Sequence, residues 1–303
     1  MAQMLAAFSS RQIWQQYYNL CKPKVVLLIV FTSLVGMLLA TDGFPSWQVL
    51  IIGNLGIGLA AASAAAINHY VDQRIDAVME RTQDRPLPSG GVSPLSALVF
   101  AGCLCVISML LLVAYINALT ALLTLLSVVG YAIIYTVFLK RTTPHNIVLG
   151  GAAGAAPPVL GWAAVTGSVN TEALLLFLII FVWTPPHFWA LAIRRRKEYA
   201  KAGVPMLPVT HGVEFTKSQV LLYSLLLLLV TLVPFVINMT GLIYLAGALG
   251  LGFMFIYHAW KLFRSDSDEH AMKTFAYSIV YLSGLFAFLL IDHYARIFLR
   301  AFN

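Results

Sequence analysis

The sequence predicts an all-α integral membrane protein with nine transmembrane helices in one bundle. Hydrophobic residues make up 60% of the 303 residues and charged residues only 10%, whereas a soluble domain has roughly 25% charged residues. The mean hydropathy is +0.85. Apolar stretches of about 20 residues, the length that crosses the hydrocarbon core of a bilayer, recur nine times. We expect one domain over 1–303, embedded in a lipid bilayer.

The predicted spans are joined alternately by tight polar links and by longer charged ones. They lie at 25–41, 47–68, 94–115, 119–139, 146–166, 172–193, 218–237, 240–260 and 273–296.

The distribution of basic residues predicts the orientation. With the N-terminus inside, 17 of the 19 Lys and Arg residues lie on the inner side, leaving Arg296 and Arg300 opposite. Because cytoplasmic loops are enriched in Lys and Arg, we predict a cytoplasmic N-terminus and a periplasmic C-terminus. The same loops explain the net charge of +7, and we expect no nucleic-acid partner. Most acidic residues share the basic side, which indicates a functional face there.

Three oxygen-bearing side chains follow one another at the inner end of the second span. Asn68, Asp72 and Asp76 are spaced i, i+4 and i+8, so on an α-helix they line one face over roughly 12 Å. Neighbouring carboxylates repel unless a cation neutralises them, and Mg²⁺ binds carboxylates together with substrate phosphates. A solvated loop of mixed charge is the alternative. The pattern predicts a Mg²⁺-bridged diphosphate site at the membrane surface.

Basic side chains that could bind the diphosphate occur in two places. Arg81 and Arg85 follow the acidic stretch, and their guanidinium groups suit phosphate oxygens. Lys140 and Arg141 end the fourth span, with Tyr135 about one turn before them. The positive-inside rule alone would also explain Lys140 and Arg141.

The sixth span contains a histidine beside two prolines. Pro185 and Pro186 are expected to break the helix at membrane depth, which is tolerated only beside protein or a wet cavity. His187 follows them directly, and Glu198 lies eleven residues further on, three helical turns away on the same face. We predict a site at His187; a kinked helix with a hydrogen-bonded core histidine is the alternative. Pro157 indicates a second break, in span five, and Asp292 is expected to be interfacial.

These residues carry a resemblance to the UbiA superfamily of intramembrane prenyltransferases, which covers nearly the whole chain. The motifs are Asn68-x₃-Asp72-x₃-Asp76 with Asp84-Arg85-Pro86, and Tyr135-x₄-Lys140-Arg141. Two further motifs are similar to the branch that prenylates heme: Trp183-Thr-Pro-Pro-His187-Phe-Trp-Ala-Leu-Ala and Tyr199-Ala-x-Ala-Gly-Val-Pro-Met206-Leu-Pro208. Relatives acting on quinone precursors carry a second aspartate-rich motif after span six, where this chain has only Glu198.

The resemblance implies a prenyltransferase that uses Mg²⁺ and takes farnesyl diphosphate and heme B as substrates. It implies catalytic and metal-binding roles for Asn68, Asp72 and Asp76, and diphosphate binding by the basic residues and Tyr135 named above. His187 would act in catalysis and heme binding. Side chains that could contact the heme are His187, Trp183, Trp189 and Glu198.

The resemblance also implies the cellular setting. The protein would lie in the bacterial inner membrane with its active site on the cytoplasmic side, near heme-handling or oxidase-assembly partners. Two rival functions are a prenyltransferase with another acceptor, such as an aromatic acid, and a heme-binding membrane scaffold or transporter.

Overall fold

The computed structural model describes residues 10–265 and 267–301, and throughout these ranges the regular structure is helical. The rest of the predicted domain, 1–9, 266, 302 and 303, lies outside the described residues. The helices are α1 (Ser10–Leu20), α2 (Pro23–Leu39), α3 (Asn54–Asp76), α4 (Pro94–Tyr115), α5 (Ala118–Val129), α6 (Lys140–Thr142), α7 (Asn146–Ala155), α8 (Pro157–Thr166), α9 (Thr171–Arg194), α10 (Arg196–Lys201), α11 (Leu207–Thr210), α12 (Val213–Val236), α13 (Leu242–Arg264) and α14 (Glu269–Ala301). Two π-helical segments, Val49–Gly53 before α3 and Gly130–Leu139 between α5 and α6, continue neighbouring helices.

Eight helical segments among the described residues are long and apolar enough to cross a membrane. They are Val49–Asp76, Pro94–Tyr115, Ala118–Thr142, Asn146–Thr166, Thr171–Arg194, Val213–Val236, Leu242–Arg264 and Glu269–Arg300. These match eight of the predicted spans. The first predicted span corresponds to α2, which has 17 residues and forms a pair with Gln12–Leu20 that is bent by 50°. The protein is therefore a multi-pass helical membrane protein, and a total of nine depends on that bent pair.

The bend between α1 and α2 has a local cause. Lys22 has a φ of 49°, in the left-handed region, and Pro23 opens α2. Proline suits the first turn of a helix because its fixed φ is helical, and it disfavours helical backbone in the residue before it. The chain therefore changes direction at Lys22, which lies at the end of the bundle where α3 finishes.

Glycines allow α2 and α8 to touch backbone to backbone. A methyl group on Gly36 would lie 2.2 Å from the carbonyl oxygen of Pro158, and one on Gly161 would lie 2.0 Å from that of Ser33. Small residues at such contacts are typical of helix pairs in membranes, where close packing supplies much of the association energy.

Helix α9 forms the centre of the bundle and packs against α7, α12 and α14. It stays helical through Pro185 and Pro186, so the predicted break at that position is wrong. Each proline removes one backbone donor, but its φ near −65° is itself helical, and the surrounding helices support the chain. The break predicted at Pro157 is present, because α7 ends at Ala155 and α8 begins at Pro157.

Asp292 of α14 lies at one end of the bundle, where it is buried and caps the start of α13. Its carboxylate accepts hydrogen bonds from the backbone N–H of Gly241 at 2.6 Å and of Tyr244 at 3.1 Å. These N–H groups precede or begin the helix and have no partner within it. Asp292 therefore links the C-terminal helix to its neighbour at the end of the bundle opposite to Lys22.

We expect Asp292→Ala to destabilise the protein by about 1–2 kcal/mol, the usual cost of losing a side-chain cap. Because the cap lies far from Asp72, catalysis by the folded fraction should be unchanged. Thermal unfolding in detergent, followed by helical circular dichroism, measures the first effect. An unchanged melting temperature would contradict a capping role.

Candidate active site

Asn68, Asp72 and Asp76 line one face of α3, as predicted, and all three are buried. The Asn68 amide nitrogen donates to Oδ2 of Asp72 at 2.8 Å and to the Thr136 hydroxyl at 3.1 Å. The hydrophobic helix therefore carries its polar face into the protein rather than into solvent. Burying two carboxylates is costly unless cations or a metal compensate them.

Three cations provide part of that compensation. Lys140 pairs with Oδ2 of Asp72 at 2.5 Å, and Arg85 pairs with Oδ2 of Asp76 at 2.7 Å. The Lys22 ammonium group donates to the amide oxygen of Asn68. These residues come from the α1–α2 bend, the loop after α3 and the start of α6. Together with the acidic face they form one polar cluster at one end of the bundle, which we call the α3 cluster.

The two other predicted arginines lie at the edge of the α3 cluster. Arg141 is half-exposed, lies 4.0 Å from Oδ1 of Asp72 and donates to the carbonyl oxygen of Val71 at 2.8 Å. Arg81 is exposed. The loop turns because Thr82 donates to the carbonyl oxygen of Asp76 at 3.0 Å, which brings Arg85 inward and leaves Arg81 outside.

Tyr135 lies on the π-helical segment Gly130–Leu139, whose wider turns place it and Tyr131 side by side. Their rings stack with centroids 5.5 Å apart. A methyl group on Gly150 of α7 would lie 2.2 Å from the Tyr135 ring, so the glycine leaves room for the phenol. Thr136 of the same segment contacts Asn68. Short π-helical segments are frequent at functional sites, and this one contacts the cluster through Thr136.

His187 lies on the central helix α9, and its ring is held between an aromatic ring of α9 and one of α14. The Trp183 ring lies 4.3 Å away and the Phe275 ring 4.5 Å away, both nearly parallel to the imidazole. Nδ1 of His187 lies 2.6 Å from the Ser278 hydroxyl, which donates its own hydrogen to the carbonyl oxygen of Phe275 at 2.6 Å. Ser278 must therefore accept from Nδ1–H. This arrangement leaves the lone pair on Nε2 of His187 available.

Trp183 belongs to the His187 stack, whereas the other two residues predicted to contact heme do not. Trp183 donates to the Ser278 carbonyl oxygen at 2.8 Å. Trp189 is buried elsewhere on α9, with its ring edge-on to Tyr223 at 5.2 Å. Glu198 lies on α10 and pairs with Arg195 at 2.7 Å. The prediction that Glu198 continues the face of His187 is wrong, because α9 ends at Arg194 and a new helix begins at Arg196.

Tyr199 follows Glu198 on α10, outside the membrane-spanning helices, and is buried. Burial raises the pKa of its phenol, and the nearby charges of Arg81 and Arg195 oppose that shift. The phenol therefore remains protonated near neutral pH. It can donate a hydrogen bond on the side of the protein where Arg81 lies.

Helix α7 lies between the α3 cluster and the His187 stack, because it packs on the π-helical segment Gly130–Leu139 and on α9. Gly150 faces Tyr135, and a methyl group on the next residue, Gly151, would lie 2.8 Å from Thr184 of α9. Two consecutive glycines thus bring the π-helical segment and the central helix close together. The α3 cluster and the His187 stack are therefore separated by a single helix, α7.

Mg²⁺ fits the acidic face by its donor atoms. Oδ1 of Asp72 is buried and accepts no hydrogen bond from the described residues. The described residues contain no group of three or more acidic, His or Cys side chains that could bind a metal. Mg²⁺, however, is usually held by one or two carboxylates together with waters and substrate phosphates. Asp72, Asp76 and the Asn68 amide oxygen match that requirement.

Sequence reasoning missed Lys22, Thr136, Ser278 and His69. In the sequence Lys22 is one of many basic residues on the inner side, and its position before Pro23 indicates only a turn. Thr136 and Ser278 are single hydroxyl residues inside apolar stretches, where most such residues bond their own helix. His69 directly follows the site residue Asn68 in the sequence, and only its burial distinguishes it.

Comparison with known proteins identifies the class. The UbiA prenyltransferase family matches residues 29–289, and the chain belongs to this family. Among solved structures, the fold resembles a digeranylgeranylglyceryl phosphate synthase, with a TM-score of 0.78 at 18% identity over 93% of this chain and 98% of that one. It also resembles a UbiA homolog from Archaeoglobus fulgidus bound to DMAPP and Mg²⁺, with a TM-score of 0.62 at 17% identity over 90% and 99% of the two chains.

Sequence relatives with high identity over nearly the whole chain are named protoheme IX farnesyltransferase. Protoheme IX farnesyltransferase of Thioalkalivibrio sulfidiphilus is 64% identical over 93% of this chain and 94% of its own. Protoheme IX farnesyltransferase of Nitrosococcus oceani is 62% identical over 94% and 96%.

Proposed function

We propose that the protein transfers the farnesyl group of farnesyl diphosphate to the 2-vinyl group of heme B, with addition of water, to give heme O and diphosphate. The observation that carries this proposal is the α3 cluster, in which buried carboxylates and three cations converge at one end of an apolar bundle. The identity of 62–64% to proteins named protoheme IX farnesyltransferase supports heme as the acceptor.

The acidic face would hold Mg²⁺ through Asp72, Asp76 and Asn68. When bound, Mg²⁺ neutralises negative charge on the diphosphate and so favours cleavage of its bond to the farnesyl group. The two carboxylates would then exchange a cationic partner for the metal. Lys140 and Arg85 would become available to phosphate oxygens, to which they are well suited as charge-assisted donors.

The reaction requires that the negative charge on the leaving diphosphate be stabilised at one end of the pocket. It also requires that water be excluded from the allylic cation at the other end. The bond between farnesyl C1 and oxygen breaks, and diphosphate leaves with the electron pair toward Lys140, Arg85 and Lys22, which stabilise it. Tyr135, beside the same cluster, is placed to donate a further hydrogen bond. The allylic cation is protected by apolar side chains until the vinyl group of the heme attacks it.

Bond formation with the vinyl group leaves a carbocation beside the porphyrin, which water captures before losing a proton. The hydrogen bonds of His187 support it over Glu198 as the group that acts there, because Nε2 of His187 carries a free lone pair and Glu198 is paired with Arg195. Nε2 either takes that proton or ligates the heme iron. Trp183 and Phe275 fix the ring for either role.

We place the protein in the bacterial inner membrane with nine spans, counting the bent α1–α2 pair as one. The N-terminus would be cytoplasmic, the C-terminus periplasmic, and the α3 cluster on the cytoplasmic side. The concentration of Lys and Arg at that end supports this orientation. Heme-handling and oxidase-assembly proteins are the expected partners, since substrate and product are both poorly soluble hemes.

Cysteine labelling tests the orientation. Gln83 and Lys201 are exposed at the proposed cytoplasmic end. In a variant without the native Cys21, Cys103 and Cys105, cysteines placed at 83 and 201 should react with impermeant maleimide only in inverted vesicles. Labelling of either position from outside intact cells would overturn the orientation.

Purified protein incubated with heme B, farnesyl diphosphate and Mg²⁺ should yield heme O, identified by mass. A prenylated product formed only from another acceptor would support the rival prenyltransferase function. Binding of heme without consumption of farnesyl diphosphate would support a scaffold or transporter, and either result would overturn the proposal.

A further inference from the structure

His69 of α3 is a buried histidine whose ring makes no hydrogen bond to the part of the chain that the structure describes. Its side chain is 2% exposed, and neither ring nitrogen has a hydrogen-bond partner among the described residues. A neutral imidazole carries one donor and one acceptor. Leaving such groups unpaired in the interior is costly, and rare enough that a ligand or another role is the usual explanation.

The position of His69 relates it to the α3 cluster. It lies seven residues before Asp76, so on a helix of 3.6 residues per turn the two side chains share a face about two turns apart. Its neighbour in sequence, Asn68, accepts a hydrogen bond from Lys22, and Asp76 accepts one from Arg85. His69 therefore lies deeper in the bundle than Asp76, on a stretch of α3 that two cations contact.

We propose that His69 is a further substrate-binding residue, whose ring N–H donates a hydrogen bond to an oxygen of the prenyl diphosphate. Two neighbouring cations repel another cation and attract an anion, so a phosphate oxygen fits the surroundings of the ring. The depth of His69 suits an oxygen near the bond to the prenyl chain, because the chain must extend into the apolar part of the bundle. This inference rests on the proposed function only in that the donor substrate is a prenyl diphosphate.

The test uses pairs of variants of nearly equal shape. The amide nitrogen of Asn occupies about the position of Nδ1 of His, and that of Gln about the position of Nε2. His69→Asn and His69→Gln thus keep a donor at one position or the other. His69→Leu and His69→Met are close in shape to these two variants and carry no donor.

Affinity is measured by calorimetry with farnesyl thiodiphosphate, an analogue that ionises poorly, in the presence of Mg²⁺ and without heme. His69→Leu and His69→Met should bind it about 10- to 100-fold more weakly than the wild type, the effect of losing a hydrogen bond to a charged group. At least one of His69→Asn and His69→Gln should stay close to the wild type. His293→Phe, a histidine change at the opposite end of the bundle, is the control and should bind normally.

Wild-type affinity in His69→Leu and His69→Met would overturn the proposal. Equal losses in all four variants, each with a normal thermal transition, would also overturn it, because shape rather than a donor would then decide affinity. If one variant of a pair fails to fold, the other pair provides the same comparison. Because heme is absent, failure of heme as acceptor leaves this result unchanged, whereas a wild type that does not bind the analogue would overturn the proposed function itself.

Discussion

Asp72→Asn should lower the rate of prenyl transfer by at least about 100-fold, the usual cost of removing one electrostatic contact that stabilises the transition state. The amide oxygen of the variant can still accept from Lys140, so the buried lysine is not left without a partner. Asp72→Ala removes that acceptor as well and should give the same loss of rate with lower stability. Asp76→Asn should behave like Asp72→Asn, because Asp76 occupies the same face beside Arg85.

The measurement is the initial rate of product formation in detergent, with Mg²⁺ varied. A weakened metal site should need more Mg²⁺ for half-maximal rate. Glu214→Gln is the matched control, since Glu214 is an exposed acidic residue outside the α3 cluster. Its carboxylate pairs with Lys217 at 2.7 Å. Near-normal rates in both aspartate variants would mean that the acidic face has only a structural role.

His187→Ala should reduce heme O formation by about 100-fold or more, the lower end of what a general acid–base residue contributes. Binding of farnesyl thiodiphosphate should be unchanged, because Asp72, Arg85 and Lys140 do not contact the imidazole. His187→Phe retains a ring between Trp183 and Phe275 but has no nitrogen. It should lose as much activity as His187→Ala if Nε2 is the group that matters.

Spectra of bound heme B separate the two roles left open for Nε2 of His187. Axial ligation predicts a shifted absorption spectrum in both His187 variants. Proton transfer predicts an unchanged spectrum with the same loss of turnover. A variant that loses diphosphate affinity and keeps its heme spectrum would show that the assignment of the two ends of the pocket is wrong.

The sequence predicted most of the membrane-spanning helices because hydropathy depends on composition rather than on packing. It ended the apolar span at residue 68 and predicted that Asn68, Asp72 and Asp76 share one helical face beyond it, and α3 does continue to Asp76. Hydropathy falls over that stretch, but pairing of Asp72 with Lys140 and of Asp76 with Arg85 allows the charged turns to remain helical and buried. The predicted break at Pro185 and Pro186 is wrong, because α9 remains helical through both prolines although they remove two backbone donors.

The candidate site was predictable where residues repeat at helical spacing and not where distant segments meet. Asn68, Asp72 and Asp76 could be assigned to one face from their numbers alone. Lys22 contacts Asn68 across 46 positions of sequence, and Ser278 contacts His187 across 91. Such pairs depend on how helices are arranged in space, which spacing along one helix does not specify. The prediction that Glu198 shares a face with His187 is wrong for a related reason. The helix is interrupted at Arg195, so helical spacing counted from His187 does not apply beyond it.

The contact between α2 and α8 limits where a large acceptor could enter the protein. At Gly36 and Gly161 the two main chains already touch, so neither helix can roll or slide against the other without collision. The bundle is therefore closed on the side formed by α2 and α8. A flat molecule as wide as a porphyrin is therefore not expected to enter between α2 and α8. Helix pairs whose contact consists of side chains that can rotate aside would resist its passage less.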